Sequence, residues 1–201
     1  NSGGGTVTPK TSAVFSNITA IGPRATLTNI GNSTYLAGAQ IRRNSGISIY
    51  NSIIMGWPTG IFIDATTGTS TALNIEDSTL RLRNVTLAGN NINVRFAGTA
   101  GTTINSDAIL TTWFTNSYFN NEILTNAADA KLIQPFNYSA PDPTPFAGSS
   151  GNQKILTGGS YDDLKFTGDT FFDKTATFRG AIAPAGINAT WWKGWTKFNY
   201  N

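Results

Sequence analysis

Apolar and polar positions along this chain fall into short runs that return at a fixed step. Phe15–Gly22 reads FSNITAIG, Ile49–Gly56 reads IYNSIIMG and Leu82–Gly89 reads LRNVTLAG. Each run has an Asn, a short β-prone apolar stretch, and a Gly five residues after the Asn. Asn17, Asn51 and Asn84 are 34 and 33 residues apart, and Gly22, Gly56 and Gly89 keep the same spacing. So regular a step is the mark of stacked turns of chain, each burying its apolar face against the next. The second turn is the clearest. Ile47–Tyr50, Ile53–Met55 and Ile61–Ile63 are separated by Asn-Ser-Gly, Asn-Ser and Gly-Trp-Pro-Thr-Gly, and such residues punctuate strands. Three short strands per turn predict an all-β fold: a right-handed parallel β-helix, or solenoid, with an irregular, partly helical C-terminal cap.

The third turn is expected to take its strands from Leu73–Ile75, Leu80–Leu82, Val85–Leu87 and Ile92–Phe96. The repeat then fades after Gly98-Thr99-Ala100-Gly101. Ile109, Leu110, Trp113 and Phe114 sit at helical spacing and predict a short helix within Asp107–Phe119. A second helix fits Asn120–Leu132. The prolines of Pro135–Gly151 predict an extended loop, and Phe166–Asn201 is an aromatic-rich tail. At 201 residues the chain fits one domain. Residues 1–12 read as an irregular lead-in, 13–101 as β-helix coils, and 102–201 as last coil, loops and cap. The three Asn have two readings: an internal amide ladder between stacked turns, or surface turn residues that tolerate the left-handed region.

Composition narrows the chemistry. Only 12% of residues are charged, and there is neither His nor Cys. Disulfides, thiolate nucleophiles, His-containing triads and His or Cys metal ligands are excluded. The net charge of +3 rests on scattered groups, and no basic cluster exceeds Arg42–Arg43, so nucleic acid is not an expected partner. No apolar run is long enough to span a membrane. The chain opens Asn1-Ser2-Gly3 rather than with Met, which suggests an internal or processed stretch with upstream coils.

Two groups of residues carry a resemblance. The first is Gln40-Ile41-Arg42-Arg43-Asn44 with Tyr50–Gly60 and Ile63-Asp64. The second is Thr177-Phe178-Arg179-Gly180-Ala181 with Trp192–Phe198. Together they resemble a family of Bacteroidota surface and secreted proteins with a right-handed parallel β-helix, over roughly Val14–Phe198. The resemblance implies that fold and an extracellular or outer-membrane location. It carries no catalytic residues.

A β-helix glycosidase needs two facing carboxyls, and a lyase of that type needs a base beside a carboxylate-held Ca²⁺. Carboxylates within the repeats are few: Asp64, Glu76 and Asp77. Arg42, Arg43, Asp64, Arg81 and Arg83 are the first residues to test for a lyase or hydrolase, which is the alternative function. Asp162, Asp163, Asp169 and Asp173 form the densest acidic stretch. That stretch reads as a Ca²⁺ loop or as solvated surface, and no other cofactor is expected. Trp57 at its Gly-Trp-Pro turn, and Trp191, Trp192 and Trp195 in the tail, read either as sugar platforms or as packing, the tail group as a cap on the stack. Asp77-Ser78-Thr79 fits a short O-glycosylation acceptor, and Asn17, Asn32 and Asn84 open Asn-X-Thr triplets. An ice-binding face would need Thr-X-Thr pairs at the repeat step. Thr26-Leu27-Thr28 and Thr69-Ser70-Thr71 do not recur there.

The favoured expectation is a non-catalytic cell-surface domain. It would bind glycan through Trp57, Arg42, Arg43, Asp64, Arg81 and Arg83, and serve in adhesion or as an accessory subunit of an outer-membrane complex. Asn17, Asn51, Asn84, Gly22, Gly56, Gly89, Trp192 and Trp195 are assigned structural roles.

Overall fold

The structure, a computed structural model, describes residues 5–23, 35–137 and 139–198. Thr26-Leu27-Thr28, the Asn32 triplet, the first four residues of the lead-in and the last three of the tail lie outside the described residues.

Runs of β-branched and aromatic residues give short strands because such side chains pack well on a pleated surface. They are β1 (Val14–Ser16), β2 (Thr19–Ile21), β3 (Ala37–Arg42), β4 (Ser48–Tyr50), β5 (Ile53–Met55) and β6 (Thr59–Ala65). There follow β7 (Leu82–Arg83), β8 (Thr86–Ala88), β9 (Ile92–Gly98) and β10 (Glu122–Leu124). Three parallel sheets collect them in the orders β1-β4-β7, β2-β5-β8-β10 and β3-β6-β9. The chain therefore visits the three sheets in the same order in three successive passes. Their register carries the sequence step: Thr19 pairs with Ile53, and Ile53 with Thr86. The inward side chains, among them Ile41, Ile54, Ile61, Ile63, Leu82 and Leu87, form the main core.

The all-β right-handed parallel β-helix expected from the sequence is corrected. Among the described residues helices interrupt the strands, each parallel sheet has three or four strands, and a fourth sheet is an antiparallel pair. The architecture is mixed. The step fixes which strands pair, but it leaves the intervals between them to local chemistry. Leu73-Asn74-Ile75, expected as a strand, lies in α1 (Ala72–Glu76), whose Ala72, Asn74 and Ile75 are buried. Its alternation is too short to separate the two periods. Where a helix was expected over Asp107–Phe119, α2 covers Asp107–Phe114. Ser106 caps it by accepting from the Ile109 amide. Leu110 and Phe114, one turn apart, enter the core. The helix then gives way to a 3-10 turn at Ser117–Phe119, followed by Asn120 in the left-handed region.

The helix expected over Asn120–Leu132 is also corrected. That stretch holds β10, which extends the second sheet by pairing with β8, and a 3-10 turn. Within the expected loop Pro135–Gly151, β12 (Asp142–Pro145) pairs antiparallel with β11 (Leu132–Gln134). The last regular helix is α3 (Gln153–Thr157).

At the corner between the first and second sheets, each pass carries one Asn. Asn17, Asn51 and Asn84 have φ of 57°, 48° and 56°, and Asn120 follows at 51°. Asn tolerates this region better than other residues with a Cβ. The same side chains are linked along the stack. Asn120 Nδ2 donates to Asn84 Oδ1 at 3.0 Å, and Asn84 Nδ2 to Asn51 Oδ1 at 3.1 Å. Asn51 Nδ2 donates to Ser16 Oγ at 3.1 Å, and Ser16 Oγ to Asn17 Oδ1 at 2.7 Å. The ladder reading therefore holds together with the left-handed backbone, but the surface placement does not, because Asn51 and Asn84 are buried. Gly22, Gly56 and Gly89 mark the end of the second sheet, each donating its amide to the next strand over: to Met55, Ala88 and Leu124. Gly56, at φ 71°, takes a conformation that suits Gly.

The tail runs as a strap along the outside of the Asn row. Asn17 Nδ2 donates to the Phe178 carbonyl at 2.8 Å. The Gly180 amide donates to the Asn51 carbonyl at 2.7 Å, and the Ser160 amide to Asn51 Oδ1 at 2.9 Å. Gly180 has φ 92°, and a Cβ there would meet Thr19 Oγ1 at 2.6 Å and Ile53 Cδ1 at 2.8 Å, so only Gly brings the strap this close.

Asn51→Ala is expected to destabilise the protein by about 2 kcal/mol. It strands buried polar partners and forces Ala into a left-handed backbone. Urea unfolding measures this, and a change below about 0.5 kcal/mol would show that the ladder adds little.

Candidate functional site

The sequence-expected site residues do not converge. Arg42 leaves the third sheet beside Asp64, its paired residue on β6, with Nε 3.3 Å from Oδ2. Gln40 Nε2 donates to the same oxygen at 2.8 Å. Burial would raise the Asp64 carboxyl, but hydrogen bonds from Thr66 and Gln40 and the charge of Arg42 lower it overall. Arg42 and Arg43 line a groove of about 370 Å³ with Gln40, Thr11 and Ser45. Trp57 belongs elsewhere. It is half-buried against the core, and its indole N–H donates to the Ala20 carbonyl at 3.1 Å.

Arg81 and Arg83 lie two residues apart at β7, on one side of the strand. Between them they hold one carboxylate. Arg81 Nη1 lies 2.8 Å from both oxygens of Asp163, and Arg83 Nη1 lies 2.9 Å from Oδ2. Arg81 Nε also donates to the Ser78 carbonyl, and Arg83 Nη2 to that of Tyr118. Arg83 further stacks over the Tyr118 ring at 4.7 Å. These groups, with Trp113 and Phe119, line a cleft of about 70 Å³. Burial pushes the Asp163 carboxyl up, yet the Lys165 amide and the two guanidiniums outweigh it and hold it at about 2. The buried Tyr50 hydroxyl faces this carboxylate without a well-formed hydrogen bond. Burial first, then the charge of Asp163, pushes it far above the ordinary phenol range. The Tyr50 ring packs edge-on against Phe166 at 4.7 Å, which fixes the segment bearing Asp163.

Sequence reasoning missed Asp163 as a partner of Arg81 and Arg83. A signal was present: like charges at i and i+2 on one strand face call for a counter-charge, and the acidic stretch Asp162–Asp173 was the richest source. The four acids of that stretch are engaged by separate partners, Asp163 by the two arginines. Asp162 accepts from Ser160, Asp169 from the Phe171 and Phe172 amides, and Asp173 from Thr175. Among the described residues, no group of three or more His, Cys, Asp or Glu is placed to hold a metal ion.

The tail forms a third place of interest. Trp192 is buried and packs edge-on against Phe198 at 6.2 Å. Trp191 and Trp195 are 46% and 67% exposed, with ring centroids 5.6 Å apart and planes 32° from parallel. Trp195 thus packs on its neighbour and stays open to solvent. Both indole N–H groups are committed: Trp191 Nε1 to the Ala181 carbonyl at 2.8 Å, and Trp195 Nε1 to the Trp191 carbonyl at 2.6 Å. The rings are therefore held in orientation against each other, and both keep part of their surface exposed. The same segment borders an open groove of about 640 Å³, with Gln134, Asp142, Lys193 and Lys197 in its wall.

Among the described residues, no helix is long and apolar enough to cross a membrane. Comparison with family profiles, with characterised proteins and with solved structures gives no match.

Proposed function

We propose that this chain is a non-catalytic, surface-displayed domain that binds glycans. It would serve in adhesion or as an accessory subunit of an outer-membrane complex, beside further segments of its own protein or other subunits. The motif resemblance to the Bacteroidota surface family supports this setting. The observation that carries the binding reading is the Trp191–Trp195 pair. Two exposed indoles with fixed orientation present flat apolar faces at no further cost in side-chain ordering. Their chain neighbours Lys193, Gly194, Thr196 and Lys197 border a groove whose amide, carboxylate and ammonium groups suit sugar hydroxyls.

The carboxylates argue in the same direction. Glu76 accepts from the amides of Thr102, Thr103 and Ile104. Asp64 and Asp163 are tied as described. All three are held below the ordinary carboxyl range despite burial that opposes this. A general acid for glycoside cleavage needs the reverse shift.

A glycan array followed by titration calorimetry tests the reading. Trp195→Ala is expected to weaken binding about tenfold, ~1.4 kcal/mol, with no shift in melting temperature, because the ring supports little of the core. Unchanged binding would defeat the platform, and turnover of any bound polysaccharide would defeat the non-catalytic reading.

A further inference from the structure

Two guanidiniums bound to one carboxylate leave a positive charge over. The Arg81 and Arg83 side chains are only 23% and 20% exposed, and Asp163 only 2%. The neighbouring Lys165 donates Nζ to the Thr79 carbonyl at 2.7 Å. Burial first, then the repelling charge of Arg81, lowers its ammonium pKa, with Asp163 and Asp77 opposing. Asp162 is turned to Ser160. Counting Lys165 against Asp77 still leaves Arg81 and Arg83 against Asp163 alone. The group as a whole thus carries more positive than negative charge, and that surplus favours an incoming anion.

The geometry points to a subsite here. We propose that the cleft between Arg81, Arg83 and Tyr118 receives the acidic group, a carboxylate or a sulfate ester, of an acidic glycan. This rests on the glycan-binding reading and narrows it to a class of sugar. Size supports it. A water needs roughly 10–15 Å³ of cavity space, so the cleft of about 70 Å³ has room for one acidic group. The ring stays outside, beside Tyr118, which is 67% exposed. Chemistry supports it too. A guanidinium carries five N–H donors in a planar fork. Arg81 and Arg83 use some of them on Asp163, Ser78 and Tyr118. The remainder match the oxygens of a carboxylate or sulfate. The stacking of Arg83 on Tyr118 holds that fork before a ligand arrives.

The test titrates the whole chain with three probes: a galacturonate oligosaccharide, its methyl ester and a sulfated oligosaccharide. The galacturonate is expected to bind about tenfold more tightly than its neutral ester, and Arg83→Gln should abolish that preference. The sulfated probe separates the two acid sources by its own affinity. Arg83→Gln loses a partner of Asp163 and can fail to fold, so a second measurement uses the unaltered chain. Adding sodium glucuronate should shift the Arg81 and Arg83 Nε–H resonances in a nitrogen-edited spectrum.

Equal binding of acid and ester overturns the proposal while leaving glycan binding intact. So does a folded Arg83→Gln that keeps the preference, or arginine resonances unmoved by glucuronate. Loss of all oligosaccharide binding, with the arginine resonances still shifting on glucuronate, would instead remove the wider glycan reading and keep the anion site.

Discussion

Arg179→Ala is expected to destabilise the protein by about 3–5 kcal/mol, the range for breaking a buried charged contact. The Arg179 side chain is 0% exposed. Its Nε donates to the Gly158 carbonyl at 3.1 Å, Nη1 to Thr86 Oγ1 at 3.0 Å and Nη2 to the Asn120 carbonyl at 2.6 Å. Thr86 Oγ1 in turn donates a hydrogen bond to Glu122 Oε1 at 2.8 Å, and that carboxylate lies 3.7 Å from Nη1. One side chain thus satisfies two carbonyls and a hydroxyl on three separate segments. Burial lowers the guanidinium to about 10 and Glu122 partly offsets this, so the group stays charged at neutral pH.

Removing it takes a donor from the buried Thr86 hydroxyl and from two part-buried carbonyls, at roughly 1–3 kcal/mol for a buried acceptor left unmet. Arg179→Lys keeps the charge but has no planar fork, and it should recover only part of the loss. Urea unfolding with both variants measures the effect. A loss under about 1 kcal/mol for Arg179→Ala would mean that water replaces the side chain freely.

Asp163→Asn should be the other large effect, at about 2–3 kcal/mol. That figure stays below the full buried-pair range because Arg81 and Arg83 keep some access to solvent. The amide accepts one guanidinium poorly and cannot neutralise two. The variant also tests an acid transition. In the fold the Asp163 carboxyl sits at about 2 against an ordinary 3.8. A carboxyl lowered by folding adds stability above its unfolded value, and that stability is lost as pH falls through the folded one. Asp163 therefore contributes about 2 kcal/mol at neutral pH, fading between about pH 5 and pH 2. Melting curves across that window should fall less steeply for Asp163→Asn than for the unaltered chain. Parallel curves would assign the acid sensitivity to other carboxyls.

These two residues show where sequence reading stops. The step of 34 and 33 was legible because it is local arithmetic: an Asn at a corner, a β-prone run, a Gly at the exit. It located Asn51 and Asn84 and the register that joins β5 to β8. Asn120, the next rung, was not legible. It has no Gly five residues on, and its step of 36 follows the insertion of α2. The intervals defeated the period altogether, so α1 read as strand and the architecture read as all-β. Arg81 and Arg83 were visible as charges, but their partner is 82 and 80 residues away, and nothing periodic connects them. Arg179 was visible only inside a motif. That an arginine between Phe and Gly should be wholly buried follows from the close approach Gly180 permits, which is a property of the assembled fold.

The strap also sets a length. In arrays whose units touch only their neighbours, a unit can be gained or lost with little effect beyond the adjoining ones. Here three consecutive residues answer to four successive rungs: Phe178 to Asn17, Gly180 to Asn51, and Arg179 to Thr86 and Asn120. Deleting the middle pass would bring the outer two together and leave the strap one rung too long, with a buried guanidinium facing the wrong layer. The tail therefore works as a ruler. It ties the first described rung to Phe178, about 160 residues further along the chain, and it couples the spacing of the rungs it touches.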